Sequence, residues 1–426
     1  VSKKYLIKSG NKRPASEYGM EATWKTRARG LMELVIDRAR KEDIDEIMGL
    51  YFQAYGADYP LEIGTNEQVM QQALDSPEIY HWYVIRDTFR NTLAASGIVE
   101  LDLNLKIGKV TGVTVGRNYQ GRGIANRLIG HAINQVFQTS DINSLYATSR
   151  TVVLSSQSML IKNGFIPLGI FPNARKIKTY ETLTLMGKFR SGILTNRTPV
   201  ERIPKELAPL AQVVEKYIGT PLYKEIAETL PPVIGELSKP NEEILSGQKE
   251  LDFEFITAPN FVQKRFKEFF GSNSAEVFYP FHYPNLIIAE SSSGLEMFAC
   301  FTKKDHYCVI MGANKDIKLL GAGIKQMIFN MQEHGIYYLE LLIRLDNYNS
   351  LVYLLDNLFI PSAIYPAMRE VSGEMYDYVL MTRTLVPLDF TDIKAHPDLI
   401  PYFKNYTEQW SEKHLKNFGE HIWRRN

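Results

Sequence analysis

The spacing of apolar residues changes at Leu34. Residues 1–33 show little periodicity, whereas Leu34-Val35-Ile36 reads as a strand, Lys41 to Tyr55 as a helix, and short strand and helix patterns alternate to about Phe189. Ser96 to Leu103 and Val110 to Val115 read as strands. Apolar side chains then recur at Ile124, Leu128, Ile129, Ala132, Ile133 and Val136, the single stripe of an amphipathic helix. Between Gly192 and Pro240 the pattern breaks up, because Pro199, Pro204, Pro209, Pro221, Pro231, Pro232 and Pro240 interrupt short amphipathic pieces such as Leu210 to Tyr217. A second alternating run starts at Leu251 and lasts to about Leu385, and a segment with Trp410 and Trp423 then predicts a packed helix. The expected division is a basic arm (1–33), an α/β domain (34–190), a Pro-rich, partly helical connector (191–250), a second α/β domain (251–385) and a helical tail (386–426).

The two α/β runs share a repeat. Phe165-Ile166-Pro167-Leu168-Gly169-Ile170-Phe171-Pro172-Asn173-Ala174-Arg175 recurs as Phe359-Ile360-Pro361-Ser362-Ala363-Ile364-Tyr365-Pro366-Ala367-Met368-Arg369. A helix precedes each copy (Ser155 to Lys162, Ser350 to Asn357) and a strand follows it (Thr182 to Met186, Tyr378 to Met381), which predicts one fold used twice.

Composition narrows the chemistry. With 45% hydrophobic and 23% charged residues the chain has ordinary globular usage, and 49 basic against 48 acidic residues give no global charge to attract nucleic acid or an anionic membrane. The basic residues of the arm read as a solvated stretch. No apolar run is long enough to span a bilayer. Two cysteines, Cys300 and Cys308, make neither a disulfide framework nor a metal quartet and sit on either side of an expected strand turn, so a reducing, cytoplasmic location without metal is expected. The eight histidines show no paired metal spacing, and Ser155-Ser156-Gln157 lacks the glycines of a nucleophile elbow.

The strongest chemical signal follows the strand Val110 to Val115. Gln120-Gly121-Arg122-Gly123-Ile124-Ala125 places two glycines between a strand and an amphipathic helix. There the backbone N–H groups and the positive end of the helix can approach an anion such as a pyrophosphate, and Arg122 can add a formal charge.

Val113-Thr114-Val115 followed by Gln120-x-x-Gly123-x-Ala125 resembles the acyl-CoA-binding motif, Gln/Arg-x-x-Gly-x-Gly/Ala, of the GNAT superfamily of acyl-CoA-dependent N-acyltransferases. Gly164-Phe165 also falls where members usually carry Gly-Phe at the end of the fourth helix. The resemblance covers 34–189 well and 251–385 in outline. It implies a mixed, α+β-like α/β architecture with two GNAT-like folds in tandem, each a central mixed sheet flanked by helices. It implies acetyl-CoA as acyl donor, with its pyrophosphate on the backbone of Gly121, Arg122, Gly123, Ile124, Ala125 and Asn126, beside Gln120. Its pantetheine arm would pair with Val113, Thr114 and Val115, the Val115 amide polarising the thioester carbonyl.

The sequence departs from that family at the acid and base. Many members carry Leu-Tyr where this chain has Met159-Leu160, leaving Tyr146 and Tyr180 as substitute acids, and the strand Lys109 to Val115 holds no carboxylate. Glu100 and Asp102 share a face of the preceding strand by period-two alternation, where paired carboxylates can accept an amine proton, although solvent-facing strand carboxylates have the same pattern. In the second copy Leu320-Gly321-Ala322-Gly323-Ile324-Lys325 loses the polar Gln and the small residue, which predicts a degenerate repeat; Lys318 is the residue that can substitute in phosphate contact. Phe278, Tyr279, Phe281, His282 and Tyr283 cluster ahead of its central strands and suggest a substrate pocket between the copies.

The expected activity is acetylation of the primary amine of a small molecule or amino acid. Acetylation of a protein lysine or N-terminus, and a non-catalytic acyl-CoA sensor or scaffold, are the alternatives. Ala147-x-Ser149-Arg150, Gly164-Phe165, Asn173 and Tyr180-Glu181-Thr182 also resemble β-lysine acetyltransferase-type members, without naming the substrate. A homodimer is admitted, and neither nucleic acid nor membrane is expected as a partner.

Overall fold

A computed structural model describes residues 22–27, 31–56, 62–227, 251–271 and 280–415. Most of the expected basic arm, part of the connector, Phe278, Tyr279 and Trp423 lie outside the described residues. The chain is mixed α/β, and its residues fall into two compact units, one comprising 1–77, 82–98 and 112–128 and the other 78–81, 99–111 and 129–426. This division runs through the first expected domain instead of falling between 190 and 251. Among the described residues, no helix is long and apolar enough to cross a membrane.

The first unit holds β1 (Ala22–Arg27) and β2 (Leu31–Arg38), the helices α1 (Ile44–Tyr55) and α2 (Glu67–Leu74), and most of β3 (Tyr80–Asp87) and β4 (Thr92–Asp102). The end of β5 (Ile107–Val115) and the start of α3 (Ile124–Thr139) complete it. β1, β2 and β3 pair antiparallel in that order. Ile47, Tyr51, Met70, Val84, Ala94 and Ile98 are fully buried and form its apolar centre. The six stripe residues expected on the helix from Ile124 are all buried.

The second unit continues with β6 (Ser144–Arg150), α4 (Leu154–Lys162), β7 (Ile166–Lys176), β8 (Tyr180–Phe189), β9 (Val200–Pro204), α5 (Ala208–Ile218) and β10 (Tyr223–Ala227). Then follow β11 (Phe253–Ile256), α6 (Pro259–Phe270), β12 (Leu286–Glu290), β13 (Leu295–Thr302), β14 (Tyr307–Ala313) and α7 (Ile324–Glu333). β15 (Tyr338–Arg344), α8 (Tyr348–Asp356), β16 (Ile360–Val371), β17 (Glu374–Thr384) and α9 (Ile400–His414) end it.

The stretch expected as a connector is built more fully than a linker. β9 and β10 pair in parallel across α5, whose Leu210, Ala211 and Val214 are buried. The tail helix α9 is likewise packed, with the Tyr402 hydroxyl donating to the Pro167 carbonyl at 2.6 Å and the Trp410 indole to Thr384 Oγ1 at 3.3 Å.

Matching features occur at matching positions of the repeat. β6 follows β5 in parallel and pairs antiparallel with β8, which pairs antiparallel with β7; β14, β15, β17 and β16 repeat that sequence of pairings. The repeated segments are themselves strands, although each carries two prolines. Prolines are tolerated in strands at bulges, and register shifts fall at Pro167/Gly169 and Phe171/Arg175 in one copy and at Pro361/Ala363 and Tyr365/Arg369 in the other. Lys188 Nζ donates to the Asn163 carbonyl at 2.5 Å, and Arg383 Nη1 donates to the Asn357 carbonyl at 2.7 Å, so each copy pins the end of its preceding helix in the same way. β7 and β16 meet at Gly169 and Ala363, which occupy the same repeat position. Cross-contacts are reciprocal: Lys106 bridges Glu370 at 2.9 Å, and Lys176 meets His306 at 3.3 Å.

Candidate functional site

In the first unit, β5 runs into a glycine turn and then α3. Along β5 the side chains of Val113 and Val115 are half-buried and alternate with buried Gly112 and Thr114. Gly112 is left-handed (φ 59°) inside the strand, and the Tyr51 hydroxyl donates to its carbonyl at 2.6 Å. Tyr55 donates to the Val113 carbonyl at 3.0 Å, Thr114 to the Leu50 carbonyl at 3.2 Å, and the Gln120 amide to the Val115 carbonyl at 3.2 Å. The strand is therefore fixed from the side of α1.

The turn after it is anchored below and open above. Tyr119 is buried and donates to Asp87 Oδ2 at 2.9 Å, while Arg90 donates to the same oxygen at 2.7 Å. Burial pushes the Asp87 carboxyl up, but these hydrogen bonds outweigh it and hold it below the ordinary range, while burial and the Asp87 contact push Tyr119 up to about 12. Gly121 and Gly123 have φ of 74° and 72°, a region that disfavours side chains, and a Cβ built at either meets no atom within 4 Å. Arg122 is exposed, Ile124 is buried, and Ala125 and Asn126 are half-buried. The first N–H groups of a helix lack intrahelical acceptors, so this open turn can present several donors to an anion.

The corresponding turn of the second copy is filled. Gly323 adopts a helical φ of −64°, and a Cβ there would strike the side chain of Leu251, which is itself buried. Gln326 clamps Leu251 through both backbone groups, at 3.0 and 2.8 Å. Lys318 is engaged by Asp316 at 2.9 Å and by Ser350 at 3.2 Å. Leu251 therefore packs directly against Gly323, where nothing packs against Gly123.

In the second unit, Glu100 and Asp102 are both half-buried on one face of β4, with Leu101 buried between them. Their roles differ. Asp102 Oδ1 accepts the N–H groups of Asn104 and Leu105 at 3.1 and 2.9 Å and so closes the turn into β5. Burial pushes the Glu100 carboxyl up, opposed by the charge of Lys109 and a hydrogen bond from Tyr80 and reinforced by Asp102. Tyr80 in turn is raised to about 12 by burial and by Glu100.

Tyr146 is buried on β6, in register with Lys109 of β5. Burial raises its hydroxyl well above the ordinary value, so it remains a proton donor at neutral pH. Its ring lies 5.9 Å from Phe281 and 6.4 Å, edge-on, from Tyr365. Lys109 Nζ sits 6.0 Å from the centroids of both Tyr146 and Phe281, and burial, with Arg175 adding, lowers its pKa against the pull of Glu100. Phe281 holds a left-handed backbone (φ 58°), rare for a bulky residue. Beside it, His282 Nδ1 donates to the Pro280 carbonyl at 2.8 Å, and burial and Lys109 push its pKa down to about 4, so its ring is neutral. Phe281, from the aromatic run ahead of β12, therefore reaches Tyr146. Tyr180 lies elsewhere, with Lys176 5.4 Å over its ring and His306 6.4 Å away. Leu160, at the family's tyrosine position, is buried.

Lys109 is the residue that sequence reasoning passed over. The sequence marks it only as the start of a strand without acids, although a lysine in period with Val113 and Val115 is a charge on the half-buried face of β5. Among the described residues, no group of His, Cys, Asp and Glu could hold a metal ion.

Residues 41–165 match the model of the acetyltransferase (GNAT) family. The chain is similar to the solved ribosomal-protein-S5-alanine acetyltransferase from Vibrio fischeri (16% identity over 40% of this chain and 98% of that one, TM-score 0.33). It is similar to spermidine N-acetyltransferase from Vibrio cholerae in complex with CoA and spermine (16% identity, 37% and 96% of the two chains, TM-score 0.33). A third similar structure is the ribosomal-protein-S18-alanine N-acetyltransferase from Escherichia coli (16% identity, 36% and 92%, TM-score 0.30). No curated protein matches the chain.

Proposed function

We propose that this chain, whose residues 41–165 are a GNAT-family acetyltransferase domain, transfers the acetyl group of acetyl-CoA to the primary amine of a small molecule or amino acid. The observation that carries the reading is the open glycine turn at Gly121 and Gly123, at the start of α3 and inside the matched residues. Backbone N–H groups from Gly121 to Asn126 would hold the pyrophosphate, with Arg122 adding charge, and Val113 to Val115 would align the pantetheine arm. The amine nitrogen attacks the thioester carbonyl, a C–N bond forms, the C–S bond breaks, and coenzyme A leaves as a thiolate that takes up a proton.

Glu100 is assigned as the base. Of the two carboxylates it is the one without a turn to close, and its raised pKa brings it nearer the value at which a base works best at neutral pH. Tyr146 contributes a protonated hydroxyl and an aromatic wall. The shared bulges, helix clamps and reciprocal contacts support reading the chain as two GNAT-like folds in tandem, and Leu251 in the second turn supports a single coenzyme site. Thiol release from acetyl-CoA, followed over a panel of amines, should be acceptor-dependent. Coenzyme binding without release for any amine, amino acid or peptide would instead make the chain a sensor.

A further inference from the structure

Lys109 and Glu100 are close enough to perturb each other's protonation, yet Lys109 makes neither an ion pair nor a hydrogen bond among the described residues. A half-buried ammonium without an acceptor is costly unless something else supplies one. The rings of Tyr146 and Phe281 stabilise its positive charge but offer no hydrogen-bond acceptor in their planes. Arg175, itself paired with Asp305 at 3.8 Å, adds like charge rather than an acceptor, and the neighbouring His282 is neutral with its Nδ1 proton committed to Pro280. The face thus carries the Glu100 carboxyl, hydrogen-bonded by Tyr80, and the Lys109 amine, which has two aromatic rings beside it and no acceptor among the described residues.

Resting on the acetyl-transfer reading above, we infer that the acceptor is a zwitterion, an amino acid whose ammonium is taken by Glu100 and whose carboxylate is taken by Lys109. The charges match group for group. A substrate ammonium near Glu100 is also the group that must lose its proton before attack, so binding and deprotonation fall on one carboxylate. A polyamine or a basic peptide would bring further cations against Lys109 and Arg175, where like charges repel. A simple monoamine would leave Lys109 without an acceptor. Lys109 is therefore a specificity-determining residue.

The test is a matched panel on the full chain: lysine with cadaverine, ornithine with putrescine, and phenylalanine with phenethylamine, with thiol release giving kcat/KM for each. Wild type should favour the amino acid of at least one pair, and Lys109→Met should lower the ratio of amino acid to amine about 10- to 100-fold, the usual worth of a hydrogen bond to a charged group. Lys109→Arg should recover much of that ratio. Calorimetric titration of acetyl-CoA into each variant shows that the fold is retained. Equal loss for both members of every pair, or a wild-type preference for the amines, would overturn the inference and leave acetyl transfer standing. Binding of acetyl-CoA with no thiol release for any acceptor would overturn the transfer reading and this inference with it.

Discussion

Glu100→Gln lowers turnover by about 10²- to 10⁴-fold while acetyl-CoA affinity holds, because a base acts on the transition state and not on coenzyme binding. The pH dependence separates this from a general defect. Burial raises the Glu100 carboxyl, so in wild type the acid-side limb of the rate profile should break above the ordinary carboxylate range, as the carboxylate forms. The variant lacks that break, and its residual rate climbs with pH as more of the acceptor amine deprotonates unaided.

Stability should move the other way. A carboxyl whose folded pKa is raised contributes stability that is present below its unfolded pKa and lost as pH rises through the folded value. Wherever Glu100 is ionised, as its role as a base requires, that contribution is gone, so there Glu100→Gln should melt no lower than wild type. Asp102→Asn is the comparison. Its amide oxygen can still accept the Asn104 and Leu105 N–H groups, and turnover should be affected far less. Wild-type turnover in both variants from about pH 6.5 to 9, where free amines begin to deprotonate, would show that the proton leaves by another route.

Gly169→Val is expected to cost about 3 kcal/mol, at the upper end of overpacking penalties, and to lower the melting temperature by roughly 3 to 5 °C. Gly169 faces Ala363 where β7 meets β16, and a Cβ there would strike the Cα and Cβ of Ala363 and the carbonyl oxygen of Ser362. Two of those atoms are backbone and cannot swing aside, so the strands themselves must part. Ala363→Gly in the same chain removes only the Cβ contact and should restore stability only in part. A melting temperature equal to that of wild type, measured by calorimetry, would mean that the two repeats are not joined along this line.

Much of this was legible in the residues, and the failures have physical causes. The stripe from Ile124 to Val136 is buried as its period demands, and the glycine turn sits between strand and helix with Gly121 and Gly123 left-handed and uncovered. The repeat at Phe165 and Phe359 was visible, but that it forms strands was not, since proline argues against a strand until a bulge absorbs it. Gly169 carried no signal of a seam, because close backbone approach is a tertiary fact. The substitutions in the second turn pointed to degeneracy, yet the occupant, Leu251, lies far away in sequence and has no local mark. Period-two alternation put Glu100 and Asp102 on one face and could not tell them apart; the turn at Asn104 and Leu105 does. What surrounds Lys109 has no local mark in the sequence, because it depends on Phe281, which only the fold brings near.

Calorimetric titration of acetyl-CoA tests the central claim most directly. The account predicts saturable binding at a single site per chain, because the turn at Gly123 is open and the turn at Gly323 is filled by Leu251. It also predicts that Gly123→Glu, which sets a side chain and a like charge against the pyrophosphate, removes that binding while the chain stays folded. Undiminished affinity in a folded Gly123→Glu protein, or two equivalent sites in wild type, would contradict it.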